Sequence, residues 1–404
     1  MKIFHGYNLN NIRGDFFGGL TAAVVALPLA LAFGVSSGLG PLAGLYGAII
    51  VGFFAALFGG TPTQITGPTG PMTVVVASIF LYFEKNIEIV FFIISLAGFL
   101  QILIAVSRLG EYVRKIPPAV VTGFMSGIGV IIISLQIPVL FGLGSEGGVI
   151  LSIAKLNNIS NFNADALFIG LIGLAIVIFF PKKIEAYIPR PVIALVVGTL
   201  LTSLYYNNQD IIGNIPSGIP SFSIYIPTYK ELPEVIYFSI MLAALGTIDS
   251  LLTSVVADNM TKTNHLPNKE SMGQGVGNII SGFFGGLAGA GATMRTVVNI
   301  QSGGKTPYSG LIHSIILILI LGLFGTYASL IPLAILASIL LKVGYDIIDW
   351  EFVSNIKSKS RVDIFVALIV VILIVFVNLI VAIFVGTTIS YFLKKYQGQP
   401  NLTS

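Results

Sequence analysis

Apolar runs of about 20 residues follow one another from Phe16 almost to the end of the chain, and that succession decides the solvent in which it folds. A run of this length is what a helix needs to cross the hydrocarbon core of a bilayer. Composition agrees: 55% of residues are hydrophobic and 9% charged, where a soluble domain holds roughly 25% charged. The chain therefore reads as an all-α polytopic membrane protein. Zero cysteines excludes disulfides, thiol catalysis and cysteine metal sites. The net charge of +4 reads as membrane orientation, with no nucleic-acid partner. The first apolar run is long and continues into another, unlike a cleavable signal peptide.

Hydropathy marks fourteen segments, centred on residues 17–36, 41–59, 69–83, 89–107, 117–141, 164–181, 191–206, 233–257, 272–288, 292–302, 309–327, 329–343, 362–379 and 380–394. An even number puts both termini on one side. With that side cytoplasmic, only Lys85, Lys155 and Lys230 of the 21 Lys and Arg fall outside, and Arg295 falls within a segment. The remainder lie inside, as the positive-inside rule requires of short loops. The connections around 142–163 and 206–232 carry Asn, Gly, Ser and Pro and read as outer, solvated turns.

Two stretches resemble each other: GGTPTQITGPTGPMTVVVAS (59–78) and GGLAGAGATMRTVVNIQSGG (285–304). Each opens with paired glycines, passes through glycine with proline or alanine, and reaches Thr-Val-Val. The halves 15–206 and 230–395 then carry seven segments each, so the second runs inverted relative to the first. Paired, interrupted short helices in an inverted repeat are the sequence mark of a transporter site at the membrane midplane.

A helix that begins in mid-membrane aims its free N–H groups and the positive end of its dipole at the cavity. Two such starts make an anion cradle. The candidate donors are Thr69, Gly70 and Met72 in the third segment and Ala292, Thr293 and Met294 in the tenth, with hydroxyls from Thr69 and Thr293. Arg295 and Asp249 are the two charges this map places deep in the membrane, where each needs a partner or a polar cavity. Arg295 would strengthen the positive field; an Asp249–Arg295 ion pair is the plainer alternative. Thr253 follows Asp249 at i+4, on the same helix face. With carbonyls of Gly291, Ala292 and Thr293, this pair offers the oxygen ligands a small alkali cation takes. Phe33, beyond Pro28 in the first segment, is a candidate wall residue.

The blocks GDFFGGLTAAVVALPLALAFG, GGTPTQITGPTGPMTVVVAS, GTIDSLLTSVVADNMT and GAGATMRTVVNIQSGGKTP resemble the sulfate permease (SulP) family of anion transporters, and within it the BicA-type sodium-dependent bicarbonate transporters. The resemblance covers essentially the whole chain. It implies a fourteen-helix, seven-plus-seven inverted repeat with core and gate domains, an anion site between helices 3 and 10, and elevator-like alternating access. It implies sodium ligation by Asp249, Thr253, Gly291, Ala292 and Thr293, and an anion site around Thr69, Gly70, Ala292, Thr293, Met294, Arg295 and Phe33. Many SulP members have a glutamine just after the helix 1 proline, where this chain has Leu29. The expectation is a single transmembrane transporter domain over residues 1–404 with no C-terminal STAS domain, which leaves a homodimer open.

The expected activity is sodium-coupled bicarbonate import across a plasma membrane. The alternatives are proton-coupled transport of sulfate or another small anion, and an anion channel. An enzyme is disfavoured: His5, His265 and His313 are scattered, no H-E-x-x-H occurs, and Asp249 alone makes no acid–base pair.

Overall fold

The computed structural model describes residues 5–111, 117–144, 149–181, 188–205, 210–212, 222, 225–377 and 379–396. Lys2, Arg114, Lys115, Lys182 and Lys183 of the positive charges counted above, and much of the connection 206–232, lie outside the described residues. Helices of nine residues or more are numbered here in chain order. The first half holds α1 (Ile12–Ser36), α2 (Pro41–Phe58), α3 (Gly70–Tyr82), α4 (Ile87–Val106), α5 (Pro118–Leu140), α6 (Ala164–Phe179) and α7 (Arg190–Tyr205). The second holds α8 (Leu232–Thr261), α9 (Pro267–Phe283), α10 (Thr293–Gln301), α11 (Tyr308–Ala328), α12 (Leu333–Ile347), α13 (Arg361–Phe376) and α14 (Leu379–Tyr396). Each of the fourteen sequence segments falls on one of them. By length and composition, α1, α2, α4, α5 and α8 are each able to cross a membrane.

Local chemistry sets several ends. Proline occupies the first turn of α2, α5, α8 and α9, where its missing N–H costs no helix bond. Asn86 and Asn163 cap α4 and α6 by accepting from the backbone amides two and three residues on. Asp15, buried on α1, accepts from the amides of Lys305 (2.7 Å) and Thr306 (2.9 Å) and from the Thr306 hydroxyl (2.7 Å), tying α1 to the start of α11.

The helices pack most densely within two sets. One joins α1, α2, α4, α8, α9 and α11; the other joins α5, α6, α12, α13 and α14. At the α4–α9 crossing a β-carbon on Gly98 would stand 2.6 Å from the Gly275 carbonyl, and one on Gly275 would stand 2.6 Å from the Gly98 carbonyl. The two backbones therefore touch, as small residues permit between membrane helices. Gly275→Ala is expected to lower the melting temperature of the detergent-solubilised protein, through an overpacking cost of about 1–3 kcal/mol. Gly322→Ala on α11, whose β-carbon meets nothing within 4 Å, serves as the neutral control.

Two helices are short. At 1.5 Å per residue α3 is about 20 Å long and α10 about 14 Å, below the ~30 Å hydrocarbon thickness. Each is preceded by a two-residue strand: β1 (Thr66–Gly67) before α3 and β2 (Ala290–Gly291) before α10. The strands pair antiparallel, Thr66 with Gly291 and Gly67 with Ala290. The broken elements thus meet through their own backbones.

Candidate functional site

Non-helical backbone deep in a membrane protein must find its hydrogen bonds locally. Around β1 and β2 side chains supply them. The Ser250 hydroxyl accepts from the Gly291 amide at 2.9 Å. Asn278 brackets Gly289, accepting from its amide at 2.8 Å and donating to its carbonyl at 2.9 Å. Thr296 accepts from the Ile65 amide at 3.0 Å, and Asn299 donates to the Thr63 carbonyl at 2.8 Å. The backbone of the crossing is thus hydrogen-bonded from several sides, and α3 and α10 leave it at opposite ends of the ladder.

The first amide bonded inside α3 is that of Thr73, to Thr69 O; in α10 it is that of Thr296, to Ala292 O. The amides of Gly70 and Met72, and of Thr293, Met294 and Arg295, precede those points and have no helical acceptor. The Ala292 amide departs from the expected donor set: it donates to the Ile65 carbonyl at 2.9 Å, extending the ladder, and is not available to an anion.

One turn of α8 ties both helix starts together. Asp249 Oδ2 accepts from the Thr69 hydroxyl at 2.7 Å. Thr253, about 6 Å further along the axis, donates its hydroxyl to the Gly291 carbonyl at 2.9 Å and lies 2.7 Å from Thr293 Oγ1. Asp249 is 6% exposed and Thr253 fully buried. The oxygens of Thr253, Gly291 and Thr293 therefore converge at β2, and the Asp249 carboxylate, one turn earlier on α8, sits at the start of α3. Phe33 is buried on α1, and its ring edge lies about 4.0 Å from the β-carbon position of Gly70.

Among the described residues Asp249 and Arg295 form no ion pair with each other. Arg295 is 2% exposed and its Nη2 donates to the Pro68 carbonyl, between β1 and α3. Its Nη1 lies close to Gly67, 2.6 Å from where a β-carbon on that residue would stand. The guanidinium is thus a buried charge behind the crossing, engaged by backbone. Met294 points the other way: its side chain is 61% exposed. It lines a crevice of about 650 Å³ with Val25, Leu29, Arg190, Ile339 and Val343, between the two packing sets. Only the backbone of Met294 belongs to the helix start.

A second buried cluster was not expected. Glu270 on α9 accepts from the amides of Gly60 and Thr61 (2.9 Å each), from Gln64 Nε2 (2.8 Å) and from Gln274 Nε2 (2.7 Å). Gln64 Oε1 accepts from the Ser254 hydroxyl (3.0 Å), itself 2.7 Å from Thr61 Oγ1. This cluster fixes the approach to β1. The signal was present in the sequence as Glu270, Gln274, Asn278 and Ser281, a polar stripe at helical spacing.

The model of the sulfate permease family matches residues 12–370. The chain belongs to that family. Among sulfate permease relatives, the bicarbonate transporter BicA of Picosynechococcus is 46% identical over 407 residues, covering 96% of this chain and 71% of that protein. BicA of Synechocystis is 44% identical over 399 residues, with the same coverage. The solved transmembrane domain of a cyanobacterium BicA matches at TM-score 0.87 and 44% identity, covering 96% of this chain and 100% of that one. The murine Solute Carrier 26 family member A9 anion transporter, solved inward-facing, matches at TM-score 0.87 and 18% identity over 98% of this chain and 70% of its own, a likeness of fold. The chain is an anion transporter of this family and a multi-pass, all-α membrane protein.

Proposed function

We propose that this protein is a sodium-coupled bicarbonate importer of the plasma membrane, with both termini cytoplasmic and fourteen spans in an inverted repeat. The observation that carries the reading is the turn of α8 that holds both helix starts: Asp249 to Thr69, Thr253 to Gly291 and Thr293. The 46% identical relative named a bicarbonate transporter supports the substrate.

In this reading sodium is cargo, held by the Asp249 carboxylate, the Thr253 and Thr293 hydroxyls and the Gly291 carbonyl. The anion lies by the starts of α3 and α10, where the amides of Gly70, Met72, Thr293 and Met294 donate and Phe33 forms a wall. Arg295 adds positive potential from behind the crossing; water exclusion makes that charge count for more. The Thr69 hydroxyl couples the two sites. It donates to Asp249. When sodium neutralises that carboxylate, the hydroxyl turns to the anion, so each ion raises the affinity of the other, as linkage requires. The α1–α4 and α8–α11 helices act as the moving core against the gate formed by α5–α7 and α12–α14, and the crevice beside Met294 is the inner route to the site.

Uptake of labelled bicarbonate by proteoliposomes tests this. An inward sodium gradient is expected to raise the initial rate several-fold over an equal potassium gradient, with sulfate a poor competitor. Equal rates in the two salts, or uptake driven by a pH step in sodium-free buffer, would remove sodium from the scheme.

A further inference from the structure

His313 on α11 is fully buried, and nothing in the transport scheme uses it. Among the described residues neither its Nδ1 nor its Nε2 has a hydrogen-bond partner, and the same is true of Arg295 Nη1. A neutral imidazole carries one donor and one acceptor, and buried polar groups are rarely left unpaired. The two side chains share one neighbourhood. A β-carbon on Gly67 would stand 2.6 Å from Arg295 Nη1 and 3.2 Å from Ala48 Cα. One on Gly52 would stand 3.0 Å from the Thr66 carbonyl and 3.5 Å from His313 Nδ1. Ala48 and Gly52 are one turn apart on α2, and Thr66 and Gly67 are adjacent on β1. Arg295 Nη1 and His313 Nδ1 therefore each border the seam between α2 and β1, at positions one turn of α2 apart.

We propose that a single buried water joins Arg295 Nη1 to His313, and that His313 is thereby a positioning residue for the guanidinium. The Nη1–H donates to the water oxygen, and the water donates to the bare ring nitrogen. Such a site is polar and supplies the partners a buried water needs, with the Thr66 carbonyl on the same side as a further acceptor. One nitrogen of Arg295 is anchored forward on Pro68 and the other backward on His313, so the charge is held at a fixed tilt behind the start of α3. The consequence for transport rests on the reading that this charge supports anion binding.

Two measurements decide the proposal. In proteoliposomes His313→Phe is expected to raise the KM for bicarbonate about threefold to tenfold, with half-saturating sodium unchanged. His313→Gln, which keeps an acceptor, is expected to restore most of the affinity. In an Arg295→Lys background His313→Phe is expected to add nothing. Independently of transport, imidazole ¹⁵N spectra can be recorded on the intact protein. The chain has 3 histidines, so the His313 signals are assigned by their loss in His313→Gln. One hydrogen-bonded tautomer, with shifts that move in Arg295→Lys, supports the link. Mixed tautomers, or shifts indifferent to Arg295→Lys, overturn it even where bicarbonate uptake is as described. A wild-type protein that carries no bicarbonate overturns the functional reading instead, and the spectra still decide the His313 link.

Discussion

Asp249→Asn is expected to abolish sodium stimulation of bicarbonate uptake while leaving the protein folded. Asparagine has nearly the shape of aspartate, and its Oδ1 can still accept from the Thr69 hydroxyl that now bonds Asp249 at 2.7 Å. What disappears is the formal negative charge of the proposed ligand set. The remaining ligands are hydroxyls and a carbonyl, all neutral, and they must compete with full hydration of the ion. Half-saturating sodium should rise on the order of 100-fold, equal to about 2.7 kcal/mol. Thr253→Val removes a neutral ligand and leaves the Gly291 carbonyl and Thr293 hydroxyl without that partner; a rise of roughly tenfold is expected. Two readouts separate binding from turnover. Initial rates against sodium concentration give the coupling, and the sodium-induced rise in melting temperature of the purified protein gives binding alone, since a ligand of the native state stabilises it by mass action. An unaltered sodium response in Asp249→Asn would eliminate this carboxylate as the ligand.

The helices were legible because lipid makes the code coarse. A long apolar run bounded by proline, glycine or charge has few alternatives to a helix, and Pro41 and Pro118 stand at the starts of two such runs. The interruptions before α3 and α10 were legible from Gly67–Pro68 and Gly289–Ala292, and the shared helix face of Asp249 and Thr253 from their i, i+4 spacing. What the sequence hid is non-local. Two-residue strands have no periodicity to detect, so the pairing of Thr66 with Gly291 is visible only once the fold brings the halves together. The Thr69–Asp249 bond joins residues 180 positions apart. The ninth segment was expected from residue 272, but α9 begins at Pro267. A hydropathy scan discounts the polar first turns of a helix that packs between α4 and α2 instead of facing lipid. Burial inside the protein is a different matter from depth in the membrane, where the sequence places Asp249 and Arg295. The fold also buries Asp15, Lys269 and Glu270.

Glu270 is where that hidden polarity has the largest consequence for stability. Its carboxylate receives four N–H donors, two from the backbone turn at Gly60 and Thr61 and two from the amides of Gln64 and Gln274. Glu270→Ala removes every acceptor at once. Gln274 keeps its bond to Thr66 Oγ1, but the two backbone amides and Gln64 are left facing a void. Each buried donor without a partner costs about 1–3 kcal/mol, and the total is expected to be about 3–5 kcal/mol, as when one member of a buried charged cluster is removed. The substituted protein should lose most of its monodisperse fraction on size-exclusion chromatography and melt well below the wild type. Glu270→Gln should behave differently. Its oxygen can serve Gly60 and Thr61, while its NH₂ group faces two side-chain amides that can rotate. Gln274 Oε1, at present without a partner, becomes an acceptor for it, and Gln64 can exchange its ends against the Ser254 hydroxyl. The expected order of melting temperature is therefore Glu, then Gln slightly lower, then Ala far lower. An alanine variant as stable as the glutamine one would mean that the Gly60–Gln64 turn is held by its neighbours and that Glu270 does not set the entry to β1.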